Sequence, residues 1–242
     1  MLKKIKGIVI SETPYKDSSK VLNIICELGI VGVISKGCKS LKSPLRVISN
    51  KLNYAEYVIY YNEGKLSTLK EGSIIDSFDN IKNDLTKISY ATYISDLVNQ
   101  VMKQNNDPEV FNLYLSALKK IDEGMNPTVI MNILEIKLLD YLGVGINLNG
   151  CVKCGSTNEI ITVDPDAGGY ICKKCYTNEL LFDEKVRKML RMYYLVEIDS
   201  IKDMKINDYV IDSINKFLSI YYDRYTGLYI KSKSFLERNV NM

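Results

Sequence analysis

Five short β-branched runs before residue 78, a helical apolar period after it, and two C-x-x-C pairs within the helical part predict an α+β chain. The expected architecture is a five-stranded barrel of the OB-fold kind over residues 1–79, followed by an α-helical domain over residues 80–242. A four-cysteine zinc ribbon or knuckle at about residues 146–178 is expected to interrupt the helices.

The strands come first. Residues 5–10 are rich in β-branched side chains and are broken by Thr13-Pro14. Residues 21–26 make a second strand, and Gly29 turns the chain into a third over residues 30–34. A basic loop with Gly and Ser runs over residues 35–53, residues 54–61 form a fourth strand, and Asn62-Glu63-Gly64-Lys65 is a hairpin loop before a fifth over residues 66–75. No helical period interrupts this part, and closing the sheet removes the exposed edges of so small a structure.

Past residue 80 the spacing changes. Ile81, Leu85, Ile88, Ala91, Ile94, Val98 and Val101 recur at three- and four-residue steps, predicting one amphipathic helix. Asp107 as N-cap with Pro108 at the first helical position opens the next, which stops before Gly124. Asn126 and Pro127 repeat that opening, with Ile130, Ile133, Leu134, Leu138 and Tyr141 apolar and Gly143 as the stop. Residues 183–196 and 207–225 complete the helical set.

Cys151, Cys154, Cys172 and Cys175 form the two C-x-x-C pairs, each able to aim two thiolates at one point. The chain has no histidine, so a cysteine-only zinc site needs no other residue type. The same absence removes triad, Cys-His and H-E-x-x-H chemistry. The N-terminus is followed by no apolar signal-peptide core, so a reducing cytoplasmic setting is expected, which favours metal over disulfides. Four cysteine ligands leave no open position for water, so the one zinc ion is read as structural. Residues 160–163 and 168–171 supply short strands meeting at a turn; Lys153, Lys173 and Lys174 lie within the cysteine pairs and offset their charge. Cys26 and Cys38 are read as small buried residues.

Little else suggests catalysis. Gly143-Val144-Gly145 lacks a third glycine and follows a helix, no phosphate-binding G-x-x-x-x-G-K-[S/T] occurs, and Asp164-Pro165-Asp166 lacks the ligand series of a calcium loop. No apolar run reaches the roughly 18 residues of a membrane span. The chain is therefore read as non-enzymatic, against the alternative of an active site assembled from distant residues.

Charge is uneven. The net charge is +3, yet residues 1–51 hold ten Lys or Arg against Glu12, Asp17 and Glu27. Within them, Lys36, Lys39, Lys42 and Arg46 alternate with hydroxyls, including Ser43, and with Gly37 in the loop after the third strand. Cations and hydroxyls together are the donors that grip phosphates. Tyr54, Tyr57, Tyr60 and Tyr61 lie on the next strand; Tyr54 and Tyr60 share one face and Tyr57 and Tyr61 the other, and half are expected to pack the barrel core rather than stack bases. The competing reading is a zinc-stabilised protein-interaction scaffold in which DNA binding is incidental.

Gly7-Ile8-Val9-Ile10 followed by residues 15–22, the loop from Ser35 to Leu45, Leu142-Gly143 before the cysteine pairs, and the closing residues 228–236 occur in an order similar to the RecO family of bacterial recombination mediators. The resemblance spans essentially the whole chain. It implies an OB-fold, a helical domain and, in some members, a zinc module. It also implies binding of single- and double-stranded DNA, strand annealing, help in loading recombinase, nucleoid association during repair, and partnership with RecR and the C-terminal tail of the single-stranded-DNA-binding protein. On this reading Lys36, Lys39, Lys42, Ser43, Arg46 and Lys20 are the candidate DNA-binding residues.

Overall fold

The computed structural model describes residues 1–240. Its first five strands are β1 (Leu2–Tyr15), β2 (Ser19–Cys26), β3 (Gly29–Ser35), β4 (Tyr54–Tyr60) and β5 (Ser67–Asp76), closed in the order β1-β2-β3-β5-β4. Neighbours are antiparallel except β3 and β5, which pair in parallel where Val33 and Ile34 meet Ser67 and Thr68. This is the expected OB barrel.

The expected break at Thr13-Pro14 is absent, and β1 runs through both residues. Beyond Ile8 the one strand paired with it, among the described residues, is β2, so at Pro14 no second strand demands the hydrogen that proline lacks. An irregularity between Val9 and Ser11 bends the strand. Near the barrel's centre, Gly7 allows a close approach: an added Cβ would stand 2.6 Å from both Ile24 Cγ2 and the Ile25 carbonyl.

Ile5, Val9, Leu22, Ile24, Cys26, Val33, Tyr57 and Ile59 fill the barrel. Ile8 and Ile25 are paired across β1 and β2 on the opposite face, yet both are fully buried. The barrel wall is therefore apolar on both sides there, because helices cover it.

Those helices begin with α2 (Asp79–Lys82) and α3 (Leu85–Gln104), expected as one element and found as two. The Asp84 carboxylate accepts hydrogen bonds from the backbone N–H groups of Thr86 at 2.8 Å and Lys87 at 3.0 Å, which starts a new helix. Apolar spacing hid the break because Ile81 is buried as well. Then come α4 (Pro108–Asp122) and α5 (Pro127–Tyr141), both with the predicted proline openings; Asn126 Oδ1 caps α5 through Thr128 and Val129.

A two-stranded ribbon, β6 (Ile160–Asp164) and β7 (Gly169–Cys172), precedes α6 (Glu184–Leu195) and α7 (Asp208–Tyr225), capped by Asp183 and Asn207. The last helix, α8 (Lys233–Val240), was not expected from the periodicity. The described residues divide into two compact units: Met1–Asp122 joined by residues 231–240, and Glu123–Ile230. In the first, α3 lies against β1 and β3 and α4 against β2, so the change from strands to helices near residue 79 is not where compactness divides.

Candidate nucleic-acid interface and metal centre

The loop between β3 and β4 is anchored at its base. The buried hydroxyls of Ser35 and Ser49 share a 2.8 Å hydrogen bond, and Ser49 Oγ donates to the Leu45 carbonyl. One helical turn that the sequence reading missed, α1 (Leu45–Ile48), closes the loop and places Ile48 in the barrel core. From inside the barrel, the Tyr57 hydroxyl donates to the Ile48 carbonyl at 3.2 Å. Asn53 Nδ2 donates to the Val47 carbonyl at 2.6 Å, and the ammonium of Lys82 donates to Asn53 Oδ1. Burial lowers the Lys82 pKa, against the carboxylates of Asp79, Asp76 and Asp122, which favour its charged form.

The outer half of the loop is pinned differently. Gly37 adopts φ +68°, its N–H donates to Ser19 Oγ at 3.3 Å, and Cys38 turns inward with 1% exposure. The Lys39 backbone N–H donates to the Ser18 carbonyl at 3.0 Å, and its ammonium donates to the Lys16 carbonyl at 3.2 Å. The loop is thus fastened to the tip of the β1–β2 hairpin, and Lys36, Lys39, Lys42 and Arg46 are all exposed.

The other two candidate residues stand apart. Ser43 is half-buried, its hydroxyl accepting from the Leu45 N–H at 3.3 Å at the start of α1. Lys20 Nζ lies 2.7 Å from Glu12 Oε2, with its side chain only 20% exposed. A phosphate at Lys20 would have to compete with that carboxylate.

Sequence reasoning passed over the hairpin tip. Tyr15 is 39% exposed there, and Lys16 Nζ sits 5.5 Å from its ring centroid. The signal was available: a hairpin turning at Gly29 sets Lys20 opposite Ser35, which places residues 16–18 beside the loop. The tyrosines of β4, and Tyr61 just after it, divide as parity predicts. Tyr57 is fully buried and Tyr61 packs against the barrel core, while Tyr54 meets Phe111 at a ring separation of 6.4 Å and Tyr60 stays half exposed.

In the second unit, Cys151, Cys154, Cys172 and Cys175 bring four Sγ atoms within 4.8 Å of one another. Cys154 and Cys172 sulfurs are 3.6 Å apart, far beyond a disulfide bond and close to the ~3.8 Å edge of a tetrahedron with metal–sulfur bonds of about 2.3 Å. Each pair sits on a tight turn. The Gly155 N–H donates to the Cys151 carbonyl at 2.7 Å with Gly155 at φ +76°, and the Cys175 N–H donates to the Cys172 carbonyl at 3.0 Å.

Burial opposes ionisation of Cys151, but backbone N–H groups of Cys172, Lys153 and Cys154 outweigh it and bring its pKa to about 6. Cys175 is pushed up to about 12, first by its hydrogen bond with Cys154. Four thiolates repel one another unless a cation lies among them, so the donor set fits a thiophilic metal ion. Lys153 is bound to Glu179, whose carboxyl this ammonium holds down at about 2.

The insertion is also tied to the helices of its own unit. Arg187 on α6 donates to the Ile161 and Phe182 carbonyls, Arg191 to the Leu148 carbonyl, and the Tyr225 hydroxyl on α7 to the Asp166 carbonyl at 2.6 Å. Asp164 closes the β6–β7 turn by accepting from the Ala167 N–H at 2.9 Å.

Among known families, the model described as Recombination protein O N terminal matches residues 1–78, and the one described as Recombination protein O C terminal matches residues 82–234. The chain is similar to the DNA repair protein RecO of Listeria monocytogenes serotype 4a (strain HCC23), 30% identical over 240 residues covering 97% of this chain and 94% of that protein. It is likewise similar to the DNA repair protein RecO of Halalkalibacterium halodurans, 30% identical over 247 residues with 100% and 97% covered. The protein of that name from Bacillus subtilis (strain 168) is 29% identical over 247 residues, with 100% and 96% covered.

Proposed function

Because this chain belongs to the RecO family of DNA repair proteins, with a role in recombinational repair, we propose that it is a non-enzymatic mediator that binds single- and double-stranded DNA and anneals complementary strands. The observation that carries this reading is the exposed array of Lys36, Lys39, Lys42 and Arg46 on a loop held against the barrel at both base and flank. Exposed cations on an anchored loop neutralise phosphates without first having to be ordered, which lowers the entropic cost of binding. Neutralising two complementary strands weakens their mutual repulsion, so pairing proceeds without nucleotide hydrolysis. Lys20 and Ser43 are supporting contacts, since Lys20 is largely buried against the Glu12 carboxylate and the half-buried Ser43 hydroxyl is taken up by the Leu45 N–H.

The four cysteines hold zinc in a closed, structural site, the soft thiolate set being the ligand type that ion prefers. RecR, the tail of the single-stranded-DNA-binding protein and the recombinase are the partners in a cytoplasmic, nucleoid-associated cycle; family membership supports them. Mixing two dye-labelled complementary oligonucleotides with the purified chain, without ATP, tests the reading. Accelerated pairing is expected. Pairing at the spontaneous rate, together with no DNA binding, would leave the chain a protein-interaction scaffold.

A further inference from the structure

The β1–β2 hairpin tip carries a group that phosphate binding does not use. Tyr15 is the last residue of β1, pairs with Ser19 across the turn, and keeps 39% of its surface in water. It lies outside the apolar cluster that fills the barrel. Lys16, next to it, adopts φ +53°, a conformation that side chains other than glycine rarely take, and its ammonium stands 5.5 Å from the Tyr15 ring centroid. Three hydrogen bonds fasten this tip to the basic loop: Gly37 N–H to Ser19 Oγ, Lys39 N–H to the Ser18 carbonyl, and Lys39 Nζ to the Lys16 carbonyl. The hairpin and the loop therefore form one surface. It joins the exposed Tyr15 and Lys16 to the loop that carries the exposed Lys36, Lys39, Lys42 and Arg46, with Asp17 as the opposing charge at the tip.

We propose that Tyr15 is a base-stacking platform, which makes this surface selective for single-stranded over double-stranded nucleic acid. The inference rests on the reading that the loop grips phosphates. Its chemistry is separate. Cations act on a backbone that both forms possess, whereas a ring can stack only on a base whose face is free. In a duplex those faces are covered by neighbouring bases. Lys16 lies against the ring, so a phosphate flanking the stacked base would meet a cation without movement of the hairpin.

The test compares the full-length zinc-bound chain with Tyr15→Ala, Tyr15→Phe, Tyr60→Ala and the quadruple Lys36, Lys39, Lys42, Arg46→Ala variant. Probes are a single-stranded oligonucleotide carrying 2-aminopurine and its duplex. Tyr15→Ala is expected to weaken single-strand binding about five- to twenty-fold and reduce 2-aminopurine quenching. Duplex affinity should stay within about two-fold, the salt slope should not change, and Tyr15→Phe should behave as wild type. The exposed position lets the variant fold, and an unaltered circular dichroism spectrum checks that. Equal losses on single strands and duplex, no loss on either, or the loss appearing in Tyr60→Ala instead would overturn the assignment. If the quadruple variant also binds like wild type, the phosphate-binding reading has failed; if only the quadruple variant is impaired, the Tyr15 inference alone has failed.

Discussion

Replacing Lys36, Lys39, Lys42 and Arg46 together by alanine removes four exposed cations from one loop and, of its anchors, only the bond from Lys39 Nζ to the Lys16 carbonyl. The anchors that remain are the Ser35–Ser49 bond, the backbone bonds from Gly37 to Ser19 Oγ and from Lys39 to Ser18, and the burial of Cys38 and Ile48. None of these needs the four side-chain charges, so the loop should keep its path. Each phosphate contact to a single strand contributes about −0.7 to the slope of log affinity against log salt, so four contribute about −2.8. Between 50 and 200 mM salt that slope corresponds to about a fifty-fold change in affinity. Fluorescence anisotropy at three or four salt concentrations should therefore show the wild-type advantage shrinking by about that factor across the range. Adding Lys20→Ala should change the slope by less than one full contact, because that ammonium already faces Glu12. Parallel log–log lines for wild type and variant, at the same affinity, would refute the reasoning.

Three other outcomes follow from the packing. Cys151→Ser with Cys154→Ser should take zinc from one equivalent per chain to none by elemental analysis and lower the melting temperature; retained stoichiometric zinc would defeat the assignment. Tyr57→Ala should cost about 3–5 kcal/mol in urea unfolding, because it empties the barrel beneath α1, whereas Tyr57→Phe loses only the hydroxyl's bonds to the Ile48 and Asn53 carbonyls and should cost about 1 kcal/mol. Asp84→Ala removes the carboxylate that starts α3 and should cost about 1 kcal/mol by the same measurement, with unchanged DNA affinity.

Much of the fold is legible in local spacing. The proline openings of α4 and α5 are found where the N-cap and proline pairs place them, because helix starts depend on residues within one turn. Strand parity sorted Tyr57 and Tyr61 from Tyr54 and Tyr60 for a similar reason: side chains alternate faces whatever lies across the sheet. Where one element ends and another begins was less legible. Periodicity ran α2 into α3 because Ile81 continues a buried face, although Asp84 carried the capping signal. Pro14 read as a stop, but a strand with one free edge tolerates it. The single turn of α1 is too short for a period to register, and α8 was absorbed into the closing segment.

Of the candidate site, residue type and spacing determined the four clustered cysteines and the run of cations from Lys36 to Arg46. Chelation by paired turns and charge density along a loop are local properties. Only the tertiary structure decided which of those groups are available. It paired Lys20 with Glu12, turned Ser43 into α1, and brought Tyr15 and Lys16 beside Lys39 from a strand pair away. Availability depends on what faces a side chain across the barrel, and that is set by strand register and closure rather than by distance along the chain.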